Sequence, residues 1–258
     1  MQIQFQKFQG AGNDFIIIDN RKGQVKLSNP QVEILCDRHF GIGADGLMLL
    51  ETAPGYDFKM VYYNSDGNIS SLCGNGSRCI TRFAQKLEII KDKAHFLAAD
   101  GGHESVISGG EIALRMADVD GIEDRGDHFF LNTGSPHAVR WVENLESYDV
   151  FGEGRRLRQS ALYRPGGTNV NFIQATQQGI FIRTYERGVE NETLACGTGV
   201  TAAALVAAAA GKATAPNSCQ VQALGGHLSV DFQNNNGRFT NIWLKGPAEF
   251  TFEGQVTI

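Results

Sequence analysis

A short motif that occurs twice constrains this chain more than any other feature. The copies are Cys73-Gly74-Asn75-Gly76 and Cys196-Gly197-Thr198-Gly199. Each is followed by a stretch with helical periodicity, so each cysteine is predicted to lie at the N-terminus of a helix. The copies are separated by close to half of the 258 residues. This spacing predicts an internal duplication that places one cysteine in each half.

The elements around the two motifs also repeat. Hydrophobic alternation and β-branched runs predict strands before each cysteine and hairpins after each helix. The predicted strands are Ile3–Phe8, Phe15–Asp19, Gly46–Glu51, Asp57–Tyr63, Phe129–Asn132, Ala138–Val142, Asn169–Gln174 and Ile180–Tyr185; the hairpins turn at Gly109-Gly110 and at 234–237. The sequence therefore predicts an α+β fold of two pseudo-symmetric lobes, with the active site in the cleft between them.

Two details of the helices follow from their composition. Seven of the nine residues from Ala202 to Ala210 are alanine, which predicts that the helix Val200–Ala210 is buried on all sides. The helix after Cys73 is predicted to have one apolar stripe with the basic residues Arg78, Arg82 and Lys86 outside it. The boundary between the lobes is predicted near 117–122, giving lobes of residues 1–117 and 118–248.

Bulk composition excludes several classes of function. A net charge of −5 and a pI near 5.7 argue against a nucleic-acid partner. The N-terminus lacks the layout of a signal peptide, and the longest apolar run is about half the length of a membrane span. Five cysteines at unpatterned spacings do not predict a disulfide framework. We therefore expect a cytoplasmic protein with no membrane partner.

The motifs that would bind a cofactor or a metal are missing from the sequence. We find neither a dinucleotide or phosphate loop in the right context nor a Cys-x-x-Cys, and expect no cofactor and no metal. Proton transfer remains, because a helix N-terminus lowers a thiol pKa and offers backbone N–H groups to a carboxylate. Amides at Gly74, Asn75, Gly197 and Thr198 would hold that carboxylate. One thiolate could remove a proton from a carbon while the opposite thiol donates one, which inverts the stereochemistry.

The same residues also allow less specific interpretations. A single buried cysteine is more often inert, and this is the prediction for Cys36, Cys79 and Cys219. A non-catalytic module could use the same helix-start amides to bind an amino acid, although it would not need cysteine at both positions. Among the histidines, His137 is the better functional candidate. Arg38, Arg78 and Arg187 could each pair with a carboxylate.

Several further segments, together with the two cysteine motifs, resemble those of a known family. The segments that carry the resemblance are Gly12-Asn13-Asp14-Phe15, Asp37-Arg38-His39, Gly43-Ala44-Asp45-Gly46, Asn64-Ser65-Asp66-Gly67, Asn169-Val170-Asn171-Phe172, Glu186-Arg187-Gly188, Glu192-Thr193-Leu194-Ala195 and the two Cys-Gly-x-Gly motifs. Together they resemble the diaminopimelate epimerases, which interconvert LL- and meso-diaminopimelate without a cofactor. These enzymes supply lysine and peptidoglycan precursors.

The resemblance implies roles for particular residues. Cys73 would be the proton donor and Cys196 the proton acceptor, with His137 and Glu186 modulating their protonation. The substrate, a small amino acid, would be held by Asn13, Asn64, Asn169, Glu186 and Arg187 and by the amides of Gly74, Asn75, Gly197 and Thr198. In the implied fold each lobe is a mostly antiparallel curled sheet around a central helix, and a C-terminal strand at 249–258 joins the first lobe. The resemblance also implies a homodimer.

A second two-cysteine family is the alternative. Proline racemases and hydroxyproline epimerases share the plan, but usually have a histidine after the first Cys-Gly, where this chain has Asn75. The amide-rich set at 13, 64 and 169 favours a substrate with a polar far end. This chain departs from many diaminopimelate epimerases at Ser135, where an asparagine is common, and at Gly46, where a glutamine is common.

Overall fold

The computed structural model describes residues 2–258, and the chain divides into two compact units. Unit 1 comprises Met1–Leu114 and Gly246–Ile258, and unit 2 comprises Arg115–Lys245. Each unit contains a multistranded sheet, one long helix that begins directly after a Cys-Gly-x-Gly cysteine, and one shorter helix. The C-terminal segment therefore belongs to the same unit as the N-terminus.

Unit 1 is built mainly from strands. Its strands before the C-terminal segment are β1 (Gln2–Gly10), β2 (Asn13–Asp19), β3 (Gly46–Glu51), β4 (Phe58–Asn64), β5 (Ile69–Ser70), β6 (Lys93–Ala98), β7 (Gly101–Ser108) and β8 (Glu111–Arg115). Its helices are α1 (Asn29–Cys36) and α2 (Gly74–Lys86). In the sheet, β2–β3 and β4–β6 are parallel, whereas β1–β2, β3–β4, β4–β5, β6–β7 and β7–β8 are antiparallel.

Unit 2 repeats this plan. Its strands are β9 (Glu123–Asp124), β10 (Phe129–Asn132), β11 (Pro136–Trp141), β12 (Asn169–Thr176), β13 (Gly179–Glu186), β14 (Asn191–Thr193), β15 (Ser218–Ala223), β16 (Gly226–Asn235) and β17 (Arg238–Gly246). Its helices are α3 (Val150–Arg158) and α4 (Gly197–Ala209), with single 3-10 turns at Leu145–Ser147 and Ala161–Tyr163. The last strand of the chain, β18 (Glu249–Thr257), lies in unit 1.

The pairing order of the strands is the same in the two units. In unit 2, β11–β12 and β13–β15 are parallel, and β10–β11, β12–β13, β13–β14, β15–β16 and β16–β17 are antiparallel. The first long strand of each unit also pairs with one more antiparallel strand, β1 with β18 and β10 with β9. The predicted α+β fold with two lobes of like topology is therefore confirmed.

Each sheet packs against helices on both of its faces. In unit 1, α2 packs on β1, β2, β3 and β4, for instance through the edge-to-face contact of Phe8 with Phe83. The other face packs on α1 through Val32 and Leu35. In unit 2, α4 packs on the sheet while α3 covers the face that carries Phe172. The long helix of each unit is thus central, as predicted.

The long helices confirm one prediction and correct another. In α4, all residues from Val200 to Ala207 are buried, as expected of an alanine-rich helix, and the exposed C-terminus ends before Gly211. In α2, Arg78 was expected outside the apolar stripe, but it is 0% exposed. Its guanidinium donates to the carbonyl oxygens of Pro247 and Gly74 (3.2 and 3.5 Å). The return of the C-terminal segment supplies the Pro247 oxygen, which helical periodicity cannot reveal.

The helix α3 was not predicted from the sequence. It contains Gly152 and Gly154, and glycine weakens helix propensity. The carboxylate of Asp149 caps its first turn by accepting from the amide of Gly152 (2.8 Å). A Cβ at Gly154 would lie 2.4 Å from the Cβ of Tyr185. The glycine therefore serves close packing of the helix on β13, a tertiary requirement.

None of the helices described within residues 2–258 combines the length and the apolar character that crossing a bilayer requires.

A cluster of charged residues surrounds the buried Lys7 at one end of the unit 1 sheet. Lys7 is 6% exposed and donates to the carboxylate of Asp14 (2.7 Å) and to the carbonyl of Gly43. Arg38 binds the same carboxylate with both terminal nitrogens (2.7 and 3.1 Å). Burial opposes ionisation of Asp14, but hydrogen bonds from Arg38 and Lys7 outweigh it and lower the pKa of Asp14 to about 2.

We expect this cluster to make folding sensitive to acid. With its native pKa below the ordinary 3.8, ionised Asp14 contributes about 2 kcal/mol. This contribution is complete above about pH 4 and is lost as the pH falls to about 2. The Asp14→Asn variant should be less stable at neutral pH, and its free energy of unfolding should fall less steeply across this range, as measured by urea denaturation.

The matched control is Asp19→Asn, which breaks a surface pair with Arg21 (2.6 Å). Because solvent screens that pair, we expect a loss below about 1 kcal/mol. Equal acid sensitivity of wild type and Asp14→Asn would contradict the assignment.

Candidate active site

The sulfur of Cys73 lies at the N-terminus of α2. Cys73 is the N-cap residue, with extended backbone (φ −113°, ψ 117°), and its Sγ accepts from the amide of Gly76 (3.5 Å). The side chain is half-buried. A thiol in this position faces the positive end of the helix dipole and the backbone amides of the first turn. This is the environment that the motif predicted.

Asn13 contacts this sulfur in a fixed orientation. The Oδ1 atom of Asn13 lies 3.7 Å from Sγ of Cys73 and 3.4 Å from Nδ2 of Asn75. Its Nδ2 donates to the carboxylate of Asp45. Since a carboxylate only accepts, the amide nitrogen must face Asp45 and the amide oxygen must face Cys73. At this position the thiol acts as the donor.

Asn75 is oriented in the same way by Arg78. The guanidinium of Arg78 donates to Oδ1 of Asn75 (2.9 Å), so that Nδ2 of Asn75 faces Asn13. Asn75 is buried at 2% exposure. The structure thus brings together three of the predicted site residues of unit 1, Asn13, Cys73 and Asn75.

Asn64 lies at the same end of the sheet. It is the last residue of β4 and pairs with Gly46, which in turn pairs with Phe15 of β2. Its backbone closes the following turn through hydrogen bonds with Asn68 and Gly67 (both 2.9 Å). Gly46 allows close approach of the strands, because a Cβ there would lie 2.6 Å from the carbonyl oxygen of Tyr63.

Cys196 occupies the equivalent position in unit 2. It is the N-cap of α4, with nearly the same backbone angles as Cys73 (φ −112°, ψ 112°), and it is buried. Its Sγ lies 3.6 Å from the hydroxyl oxygen of Thr198. The residue between the two glycines thus differs in kind, an amide at Asn75 and a hydroxyl at Thr198.

His137 contacts the same threonine. Its Nε2 lies 2.9 Å from Oγ1 of Thr198, and its Nδ1 lies 3.0 Å from Nδ2 of Asn171. The ring is 0% exposed. Burial, aided by the charge of Arg187, lowers the pKa of His137 to about 3. His137 is therefore neutral at physiological pH.

Asn169 links the segments that carry Ser135 and Arg187. Its Nδ2 donates to Oγ of Ser135 and to the carbonyl of Pro136 (2.9 and 3.1 Å), and its Oδ1 accepts from the amide of Arg187 (2.8 Å). The exposed guanidinium of Arg187 lies 3.5 Å from Oγ of Ser135. Ser135, which departs from the common asparagine, thus lies among the predicted binding residues.

Glu186 ends β13 beside this group. Its Oε2 accepts from the hydroxyl of Thr193 (2.9 Å), and its backbone carbonyl accepts from the amide of Glu190 (2.8 Å). The side chain is half-buried. In unit 2 the structure therefore gathers the predicted residues into two contacting sets, Cys196 with Thr198 and His137, and Asn169 with Arg187.

The second glycine of each motif has a packing reason. A Cβ on Gly199 would lie 2.4 Å from Oδ1 of Asn171, and a Cβ on Gly76 would lie 1.9 Å from Cε of Met48. Each helix start is thus pressed against a side chain of the sheet. The motif recurs because both units need this close approach.

The remaining cysteines are buried. Burial raises the pKa of Cys36 to about 12, and it also raises the pKa of Cys79 and of Cys219. These thiols are held in the protonated form, which agrees with the expectation that they are inert.

Sequence reasoning missed two residues that shape the site. Asp45 and Asn171 both lie in segments that carry the family resemblance, but the sequence did not indicate what either residue does. Their partners, Asn13 and His137, are 32 and 34 residues away along the chain. Only the strand register brings them into contact.

Solved structures share this fold across nearly the whole chain. A phenazine biosynthesis protein of the PhzF family from Bacillus anthracis superposes with a TM-score of 0.78 at 14% identity, covering 100% of both chains. A probable proline racemase from Agrobacterium radiobacter superposes with a TM-score of 0.69 at 15% identity, covering 99% of this chain and 93% of that one. At such identities the likeness establishes the fold. The protein therefore has the same two-lobed α+β fold as these structures.

Sequence comparison identifies the family within this fold. A family model described as diaminopimelate epimerase matches residues 5–120 and 129–251, once in each half. A diaminopimelate epimerase from Flavobacterium psychrophilum is 53% identical over 251 residues, covering 96% of this chain and 97% of the relative. The chain belongs to the diaminopimelate epimerase family, a family of isomerases.

The packing behind Cys196 generates a testable prediction. In Gly199→Ala, the added methyl group meets a buried amide that is fixed by hydrogen bonds, so we expect a loss of about 1 to 3 kcal/mol in the free energy of unfolding. Gly121→Ala is the matched control, because a Cβ there meets nothing within 4 Å, and its effect should stay within about 0.5 kcal/mol. Urea denaturation measures both. Equal stabilities would refute the packing argument.

Proposed function

We propose that the protein interconverts LL- and meso-diaminopimelate by proton transfer at one α-carbon, with Cys73 and Cys196 as the acid and base. The observation that carries this proposal is that a member of this family has two cysteines in equivalent positions, each at the N-cap of a central helix. The proposal requires both sulfur atoms to reach opposite faces of one α-carbon.

The step involves two hydrogens. The thiolate of Cys196 takes the α-proton, forming an S–H bond and leaving the electron pair of the broken C–H bond on the substrate. The S–H group of Cys73 then gives its proton to the opposite face of that carbon. The configuration is inverted, and the two cysteines have exchanged protonation states, so the reverse reaction uses them in opposite roles.

The helix starts supply the stabilisation that this chemistry needs. An α-proton is weakly acidic, and its removal places negative charge on the neighbouring carboxylate. Backbone amides of Gly74, Asn75, Gly197 and Thr198, in the first turns of α2 and α4, are suited to bind that charge. We assign these amides to the carboxylate at the reacting carbon.

The polar residues of the proposed site suit the distant end of the substrate, which carries an ammonium and a carboxylate group. Arg187 is exposed and lies next to Ser135 and Asn169, and its guanidinium can pair with the carboxylate. Glu186 can accept from the ammonium group. Asn13, Asn64 and Asn169 complete the proposed binding set. Such a clamp fixes the orientation of the substrate and excludes molecules without this end.

A proline-type substrate is the alternative. The fold is shared with a probable proline racemase, but proline has no second amino-acid end for Arg187 and Glu186 to bind. The residue after the first Cys-Gly is Asn75, oriented by Arg78. These observations favour diaminopimelate.

The two-thiol mechanism predicts the behaviour of cysteine variants. Cys73→Ala and Cys196→Ala should each lower epimerisation of LL-diaminopimelate by at least about a hundredfold, because each removes one proton carrier. Loss of the substrate α-proton to D2O, followed by NMR, measures the reaction. Proline in the same assay should show no exchange.

Cys36→Ala and Cys219→Ala are the controls, since both thiols are buried and protonated. They should keep the wild-type exchange rate. Full activity of Cys73→Ala or Cys196→Ala, with the fold intact by circular dichroism, would refute the mechanism.

The proposed clamp predicts a binding effect at Arg187. Arg187→Gln should raise KM for diaminopimelate about tenfold or more while changing kcat little, because a charged hydrogen bond to a distant group is lost. Arg164→Gln removes another exposed arginine of unit 2, which donates to the carbonyl of Gln159 (3.2 Å), and should leave KM unchanged. Equal KM values for the wild type, Arg187→Gln and Arg164→Gln would contradict the assignment of Arg187 to the substrate-binding site.

A homodimer and a cytoplasmic location remain predictions from the resemblance and the composition. They add no residue to the proposed site.

A further inference from the structure

A chain of hydrogen bonds leads from a fully buried asparagine to the sulfur of Cys196. Asn171 and His137 are each 0% exposed. Asn171 contacts His137, His137 contacts Thr198, and the hydroxyl of Thr198 contacts Cys196. All four residues lie in unit 2. The direction of each hydrogen bond can be worked out from the chemistry of the partners.

The orientation of the Asn171 amide is fixed by two partners, one backbone carbonyl and one side-chain hydroxyl. Its Nδ2 lies 3.0 Å from the carbonyl oxygen of Ala138, which can only accept. Its Oδ1 accepts from the hydroxyl of Thr184 (3.0 Å). The Nδ2 group has two hydrogens, and the second one points to Nδ1 of His137. Nδ1 must therefore accept.

This assignment determines the tautomer of the imidazole. A neutral ring carries one proton, and since Nδ1 accepts, the proton lies on Nε2. The Nε2–H group then donates to the hydroxyl oxygen of Thr198 (2.9 Å). A hydroxyl has a single proton, and the other side-chain partner of Thr198 is Sγ of Cys196 at 3.6 Å. The threonine therefore donates to the sulfur.

We propose that Asn171 is a positioning residue that holds His137 as its Nε2–H tautomer and so directs the Thr198 hydroxyl proton onto Sγ of Cys196. A hydrogen bond of this polarity stabilises a thiolate more than a thiol. The neutral state of the buried ring follows from its environment, since burial keeps the pKa of His137 far below physiological pH.

The side-chain contact of Cys73 has the opposite polarity, which supports a specific role for the donor at Cys196. There the carbonyl oxygen of Asn13, whose orientation is fixed by Asp45, lies 3.7 Å from Sγ, and the backbone amide of Gly76 donates to the same sulfur (3.5 Å). A carbonyl accepts from a thiol and disfavours a thiolate. The two sulfur atoms therefore have side-chain partners of opposite polarity. Each partner is oriented by residues that do not themselves contact the sulfur, Asp45 in unit 1 and Asn171 with His137 in unit 2.

The role of Asn171 in catalysis rests on the proposed epimerase function, but the tautomer can be measured without a substrate. In protein labelled with nitrogen-15 histidine, NMR distinguishes protonated from unprotonated ring nitrogens. We expect His137 to show a protonated Nε2 and an unprotonated Nδ1, unchanged between about pH 8 and about pH 6. Its signals are assigned by their loss in His137→Gln. A protonated Nδ1 in the wild-type protein would overturn the proposal.

Asn171→Asp tests whether Asn171 sets this tautomer. A carboxylate oxygen in place of Nδ2 can only accept, so Nδ1 of His137 should become protonated. The control is Thr184→Val, which removes the other side-chain partner of Asn171 and leaves the Nδ2 contacts in place; its tautomer should match the wild type. An unprotonated Nδ1 in folded Asn171→Asp would refute the assignment.

Thr198 provides a second test that does not depend on the stability of Asn171 variants. We expect Cys196 in Thr198→Val to react with iodoacetamide about tenfold more slowly at neutral pH than in the wild type, because the thiolate loses its donor. Thr198→Ser keeps the hydroxyl and should restore the rate. Mass spectrometry of the labelled peptides separates Cys196 from Cys73. Equal rates in Thr198→Val and Thr198→Ser would refute the proposal.

The tautomer and labelling measurements can fail independently of the exchange assay with diaminopimelate. A protein that shows the expected tautomer and labelling but does not exchange the α-proton of diaminopimelate would contradict only the proposed function. A protein that is active but carries the proton on Nδ1 would contradict only the inference.

Discussion

The structure depends on one arrangement, a cysteine sulfur at the N-terminus of a helix that is buried in the centre of a curled sheet. The helix dipole and the backbone amides of the first turn create a positive environment that suits a thiolate and a bound carboxylate. Both units use the same backbone geometry at this point, with φ and ψ of the two N-cap residues agreeing within about 5°. Burial of α4 on several sides, made possible by alanine, keeps the helix start in place.

Close packing explains why the motif contains two glycines. The second glycine of each motif lies against a side chain of the sheet, Met48 in unit 1 and Asn171 in unit 2. In unit 1 that neighbour is apolar, whereas in unit 2 it is an amide that also holds His137. The same backbone requirement is thus met by side chains of different chemistry. The two units therefore share a fold while the side chains around their cysteines differ.

The difference between the two sites lies in the direction of their hydrogen bonds. Asp45 turns the oxygen of Asn13 towards Cys73, and Asn171 acts through His137 to turn the hydroxyl of Thr198 towards Cys196. The side-chain partner of Cys73 is an acceptor and that of Cys196 is a donor, while the Cys73 sulfur also accepts from the backbone amide of Gly76. For the proposed reaction, which needs one thiol and one thiolate, this difference between the side-chain partners would favour the thiolate at Cys196.

The sequence by itself determined the repeat, the position of each cysteine at a helix start, the strand segments around them and the family. These features depend on local periodicity, on turn residues and on motifs that can be recognised without coordinates. The burial of Arg78, the helix α3 and the contacts of Asp45 and Asn171 were decided only by the tertiary structure. Each depends on a partner far along the chain, such as Pro247 for Arg78 and His137 for Asn171. Sequence patterns specify which groups are present, but strand register and packing determine which donor meets which acceptor.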